Sequence, residues 1–173
     1  MANTYQLISS NVLSTATASV TFSAIPATYT DLVILGTARS SVSGVSDVVQ
    51  TEFNSNTSAI YSNTLVYANN ATAGSIRSSN DAAARSVYYI SGDTATSNTF
   101  GTFEIYIPSY TVSQNKPYSG FGVGENDSAN ERIGASAMLF RSTTAISSIK
   151  LTLLTGPNFM SGSSFYLYGI KNS

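Results

Sequence analysis

Apolar and polar residues alternate with a period of two along most of this chain. The clearest runs are residues 19–23, 102–107 and 148–153, in which every second side chain is Val, Phe, Ile or Leu. Successive side chains of a strand point to opposite faces, so this alternation predicts strands that are buried on one face. Less regular segments bring the prediction to about eleven strands: residues 5–9, 32–38, 47–53, 59–68, 85–91, 118–123, 132–141 and 164–170.

Segments rich in Asn, Gly, Ser and Pro separate the predicted strands and favour chain reversal. The best helical candidate, Asn80 to Ala84, is too short to matter. Many short strands joined by turns predict an all-β fold, an antiparallel β-sandwich that is jelly-roll-like and has about 8 to 11 strands. The length of 173 residues predicts one domain over residues 1–173.

The composition supports a folded β protein with a neutral polar surface. There are 30 Ser and 20 Thr residues, which disfavour helices, while 42% hydrophobic residues with 11 Tyr and 8 Phe are enough for a core. The formal charge is −1 and only 10% of residues are charged, which argues against a nucleic-acid partner. No apolar run approaches the roughly 18 residues of a membrane-spanning helix, so no membrane partner is expected.

The chain has no His and no Cys. This excludes Ser-His-Asp and Cys-His catalysis, an ordinary zinc site and a disulfide framework. Two glycine-containing segments resemble catalytic or nucleotide motifs at first sight, Gly120 to Gly124 and Gly134 to Ala137. The first lacks a following helix and a GK[ST] sequence, and Met138 occupies the second Gly position of the elbow motif in the other. The first segment is therefore predicted to be a strand or a bulge, and the second a strand.

The acidic residues give no clear site. Glu125, Asn126, Asp127 and Glu131 could offer oxygen ligands to Ca²⁺, but they lack EF-hand spacing, and a solvated turn is the simpler interpretation. Glu104 lies within a predicted strand, on the face opposite Phe103 and Ile105, where a solvent-facing position is expected. We therefore predict no catalytic, cofactor-binding or metal-binding residues, no cofactor, and no enzyme activity; a glycan-cleaving enzyme is the weakest alternative.

The tyrosines suggest a binding surface. Tyr88 and Tyr89 are adjacent, and Tyr166 and Tyr168 share one strand face, opposite Phe165 and Leu167. Tyrosine rings on a sheet can stack on sugars, but tyrosine is also enriched in protein interfaces. The sequence leaves both interpretations open.

Segments spread over nearly the whole chain resemble small virion structural proteins of tailed bacteriophages. They are TYQLISS at residues 4–10 with the Val-x-Phe strand after it, and residues 25–32, 89–92, 98–110 and 165–173. Such sequences occur as free-standing chains and as parts of tail fibres. The resemblance therefore implies a virion component but supplies no functional residues.

From this resemblance we predict a capsid decoration (cement) protein that binds the lattice of the major capsid protein and copies of itself, as a homotrimer, and stabilises the head. It would be made in the host cytoplasm and located on the capsid exterior. Met1 leads almost directly into the first strand, with no long fibre shaft, which favours the head. The alternative is a tail-fibre or receptor-binding module that recognises host surface glycans.

Overall fold

The structure, a computed structural model, describes residues 4–125 and 132–171, and these residues contain twelve strands and no helix. The strands are β1 (Tyr5–Val12), β2 (Ser19–Phe22), β3 (Asp31–Ala38), β4 (Ser46–Phe53), β5 (Tyr61–Asn69), β6 (Thr72–Asp81), β7 (Ala84–Ser91), β8 (Gly101–Ile107), β9 (Lys116–Gly124), β10 (Arg132–Phe140), β11 (Ile149–Leu153) and β12 (Ser164–Ile170).

The strands form two antiparallel sheets of unequal size. Eight strands pair in the order β1-β12-β3-β8-β9-β10-β5-β6, and four pair in the order β2-β11-β4-β7. The predicted all-β antiparallel sandwich is confirmed. All eleven predicted strands are present with bounds shifted by a few residues, and the total is one above the predicted range because β6 was missed.

Strand β6 forms a hairpin with β5 through a two-residue turn. Asn69 pairs with Thr72, and Asn70 in the turn has a φ of 51°, a conformation that Asn tolerates better than most residues. The chain reversal between the two strands therefore uses only residues 70 and 71. Most β6 residues are exposed, with no period-two apolar pattern that could reveal the strand from sequence.

The main core lies between the two sheets. Its largest aromatic group comes from four strands: Tyr61 stacks on Phe140 at a ring-centroid distance of 5.0 Å, and Phe53 lies 5.0 Å from Tyr118. Tyr61 also accepts a hydrogen bond of 2.8 Å from the backbone N–H of Phe53. Burial of these side chains supplies the hydrophobic free energy that holds the sheets together.

Strand β7 packs unusually close to the larger sheet, and glycines make this possible. Gly120, Gly122 and Gly124 point inward from β9 toward β7. A Cβ atom on Gly120 would lie 1.9 Å from the carbonyl oxygen of Ser86, and one on Gly122 would lie 2.5 Å from a methyl carbon of Val87. The alternate glycines therefore allow close approach of two backbones, as expected for glycine within a strand.

The buried charged groups of Arg39 and Asp47 form hydrogen bonds with neutral groups. The guanidinium of Arg39 donates to the carbonyl oxygens of residues 93, 95, 96 and 99 at 2.8–3.0 Å. The carboxylate of Asp47 accepts from the Ser40 hydroxyl at 2.7 Å and the Gly156 N–H at 2.7 Å. These bonds replace the water that each group loses on burial and tie separate loops together.

Candidate interaction surface

The larger sheet has one face turned away from the smaller sheet, which we call the outer face. Of ten large hydrophobic side chains exposed in the part of the chain that the structure describes, seven lie on this face. They are Tyr5, Leu7, Val12, Leu35, Val66, Phe121 and Ile133. A concentration of exposed apolar groups on one face is typical of an interaction site.

The half of the outer face formed by β1, β12 and β3 carries tyrosines, and we call it the tyrosine half. Tyr166 pairs with Leu35 and Tyr168 with Val33, while Tyr5 on β1 lies edge-on to Tyr168 at a centroid distance of 6.3 Å. Phe165 and Leu167 point into the core, so the sequence prediction that the two tyrosines of β12 share the opposite face is confirmed. Tyrosines so placed combine apolar rings with hydroxyls that can bond a partner.

Tyr106 on β8 borders the tyrosine half. Its hydroxyl donates to the carboxylate of Asp31 at 2.8 Å, and the same carboxylate accepts from the Ser109 N–H at 2.8 Å. Burial raises the pKa of Tyr106, and the bond to Asp31 raises it further. The hydroxyl therefore remains a fixed, neutral donor at physiological pH.

The other half of the outer face, formed by β8, β9, β10, β5 and β6, contains a groove that we call the alanine groove. Ala135 of β10 lies between the taller side chains of Phe121 on β9 and Val66 on β5, and Ala137 lies in the next row, between Ser119 and Thr64. The groove has a volume of about 410 Å³. The exposed fractions are 58% for Val66 and 45% for Phe121, so these walls are open to solvent.

Two charged side chains lie on the outer face of these five strands, Glu104 on β8 and Arg77 on β6. Glu104 pairs with Phe121 and borders the groove, and its exposed position matches the sequence prediction. Arg77 pairs with Thr64 on the opposite side of the groove. Within the described residues neither side chain forms an ion pair, so both are available to a partner.

The suggestion that Tyr88 and Tyr89 present rings at the surface is wrong. Both are buried, with exposed fractions of 4% and 7%, in a second cluster with Leu65 and Val48. Tyr89 is the extra residue of a β-bulge and has a φ of 83°, which breaks the alternation that would point adjacent side chains to opposite faces. The guanidinium of Arg132 lies 4.7 Å from the Tyr89 ring centroid.

The structure also locates the other sequence candidates. Gly120 to Gly124 lies in β9, where a strand or a bulge was predicted, and Gly134 to Ala137 lies in β10, which confirms the predicted strand. Glu125 is exposed beyond the end of β9, whereas Asn126, Asp127 and Glu131 lie outside the described residues. Residues 4–125 and 132–171 contain no group of three acidic side chains placed to hold a metal ion.

Sequence reasoning missed the alanine groove and Arg77, and it placed Glu104 on an exposed strand face without the groove beside it. The sequence shows the small-residue segment Gly134 to Ala137, but local patterns do not indicate that strands with the larger outward side chains of Val66 and Phe121 lie beside it. For the tyrosine half the sequence does carry a signal. The uninterrupted apolar run from Leu32 to Leu35 predicts a strand with apolar side chains on both faces, one of which is the outer face.

Comparisons with known proteins give no family for this chain. No protein-family model matches it, and no curated protein matches it. In the described residues there is no helix long and apolar enough to cross a membrane. The phage resemblance therefore stays a prediction, to be tested by experiment.

Proposed function

We propose that this protein is a non-enzymatic structural protein of a tailed-phage virion, and that it decorates the capsid. The observation that supports this role is the outer face, where most of the exposed large hydrophobic side chains are collected on one sheet. A protein that works by binding needs such a face and no reactive group. Binding to the mature shell would stabilise that shell, as any ligand stabilises the state it prefers.

The tyrosine half is the surface that we assign to the major capsid protein. Tyr5, Leu7, Tyr166 and Tyr168 offer apolar area with hydroxyl groups at its margin. Tyrosines of this kind contribute strongly to protein interfaces because they bury a large rigid ring and keep a hydrogen bond. Few charges lie nearby, so we expect binding that depends only weakly on salt.

The number of copies per virion tests this function. Quantitative mass spectrometry of purified virions, with the major capsid protein as internal standard, should give close to one copy per capsid subunit. A few copies, up to a few tens, would place the protein on the tail and contradict decoration.

A comparison of two variants tests whether the tyrosine half is the surface that binds the capsid. Tyr166→Asp should greatly reduce the amount of protein retained on particles that lack the natural protein. Val112→Asp is the matched control, because Val112 is also exposed but lies outside the larger sheet. Equal retention of the two variants would contradict the assignment to the tyrosine half.

The alternative is a tail-fibre or receptor-binding module, which the half-buried rings of Tyr166 and Tyr168 also suit. A glycan-array signal that disappears in Tyr166→Ala and survives in Val112→Ala would favour it. Tyr88→Ala is unsuitable for this purpose, because Tyr88 is a core residue. Silence on the array would count against glycan binding.

A further inference from the structure

We infer that two copies of the chain pair face to face, with the alanine groove of one copy against the alanine groove of the other. The pairing concerns contact between copies, so it goes beyond virion decoration and holds for a head or a tail protein. It also differs from the predicted homotrimer, because a face that pairs with itself gives two copies related by a twofold axis.

The available area suits a stable pair. Strands β9, β10 and β5 have nine residues each, and β8 and β6 flank them in the sheet. Five strands about 4.8 Å apart and about 30 Å long present roughly 700 Å². A standard protein interface buries about 800 Å² on each partner.

The order of strands allows the charges to complement each other. β8 and β6 lie two positions away from β10, on opposite sides. A twofold axis that runs along β10 between the two chains therefore places β6 of one copy over β8 of the other. Arg77 and Glu104 are one side-chain row apart, or about 7 Å along the strands. An arginine side chain spans this offset, so two Arg77–Glu104 pairs form.

The shape of the groove fits the same axis. Phe121 and Val66 lie in one row, on β9 and β5, immediately beside Ala135. The rotation places Phe121 of each copy against Val66 of the other. The small side chains of Ala135 and Ala137 lie near the axis and leave the volume that these larger groups need. A bulky residue at position 135 or 137 would fill this volume and hold the two sheets apart.

Sedimentation of the full chain tests the pairing. Analytical ultracentrifugation between about 1 and 100 µM should show a monomer–dimer equilibrium. Ala135→Glu places like charges at the axis, so we expect dimerisation to weaken about 100-fold or more. Val112→Glu is the matched control and should dimerise like the natural chain, since Val112 is exposed and lies in the loop between β8 and β9, outside the five strands that form the groove.

Charge reversal tests the axis itself. Glu104→Arg and Arg77→Glu should each weaken the dimer about tenfold, because each change removes two symmetry-related pairs. The double variant should recover most of the loss. Circular dichroism of each variant shows that a change in mass does not come from unfolding.

Several outcomes would overturn the inference. They are a natural chain that stays monomeric at 100 µM, a mass of three copies, an Ala135→Glu variant that dimerises normally, and a double variant that is no tighter than the single ones. None of these outcomes changes the copy number expected in the virion, so the dimer can be disproved without disproving capsid decoration, and the reverse is also true.

Discussion

Gly120 determines how closely the two sheets can approach at β7. Its α-carbon faces the backbone of Ser86, where a Cβ atom would overlap the carbonyl oxygen. The side chains on either side of Gly120 in β9 point outward and have no such restriction. The distance between β7 and the larger sheet therefore depends on the absence of a Cβ atom at position 120.

We expect Gly120→Ala to destabilise the protein by about 3 kcal/mol, because β7 must move away from β9 and the packing of both sheets is lost. Urea unfolding measures the change. Gly44→Ala is the control: nothing lies within 4 Å of its Cβ position, so its effect should stay within about 0.5 kcal/mol. Equal stability of the two variants would show that β7 does not pack as described.

Some single residues could not be assigned from sequence. Arg39 is buried by a loop that wraps four carbonyl oxygens around its guanidinium, and Asp47 by a loop that donates backbone N–H groups. These partners are backbone atoms, so no side-chain pattern indicates them. Tyr88 and Tyr89 were placed wrongly for a related reason, since a bulge is a backbone irregularity.

Among the elements, β6 differs most from its neighbours. It pairs with β5 only, and Ile76, on its inner face, remains 37% exposed because the smaller sheet does not extend beneath it. Strands with one neighbour and little buried area open locally at low free-energy cost. β10, in contrast, is paired on both sides and contacts β7.

We therefore expect the amide hydrogens of β6 to exchange about 100-fold faster than those of β10, although the two strands are of similar length. Hydrogen exchange followed by mass spectrometry or NMR checks this at concentrations where the chain is monomeric. The Ala135→Glu variant should keep the same difference. Equal protection of both strands would indicate that β6 belongs to the stable core.

The strands that are clearest in the sequence are those with one buried face. Alternation identified β2, β8 and β11 most clearly because each has apolar residues on the core side and polar residues outside. β6 has no such pattern, so only its register with β5 defines it. Pairing order, and with it the position of Glu104 relative to Arg77, depends on long-range contacts that local patterns do not encode.

The stability of the whole molecule should fall at alkaline pH. Burial raises the pKa of Tyr61 to about 12 and also raises the pKa of Tyr118. In the unfolded chain tyrosine ionises near pH 10, so above that pH the unfolded state loses protons first and becomes favoured. Burial lowers the pKa of Lys116, which acts in the opposite direction: its contribution rises with pH and levels off near about 10.4, the value for unfolded lysine.

Tyr118→Phe should make this alkaline decline shallower. The variant loses the 2.8 Å bond to the Thr51 hydroxyl, which costs about 1 kcal/mol at neutral pH. Between pH 7 and 9 the urea midpoints of variant and natural chain should differ by a constant amount, because the phenol is protonated in both states there. From pH 10 to 12 the difference should shrink. Parallel curves over the full range would contradict a buried Tyr118 phenol.

The arrangement of β12 has a consequence for synthesis of the chain. β12 follows the other eleven strands in sequence but lies between β1 and β3, so that Tyr5 pairs with Ile170. Until residues 164–170 have left the ribosome, β1 has no paired strand and β3 is paired only with β8. Contacts between such distant segments slow folding and prolong the aggregation-prone stage. A nascent chain that stops before residue 164 therefore leaves β1 and β3 free to pair with other chains, which makes complete translation a condition for solubility.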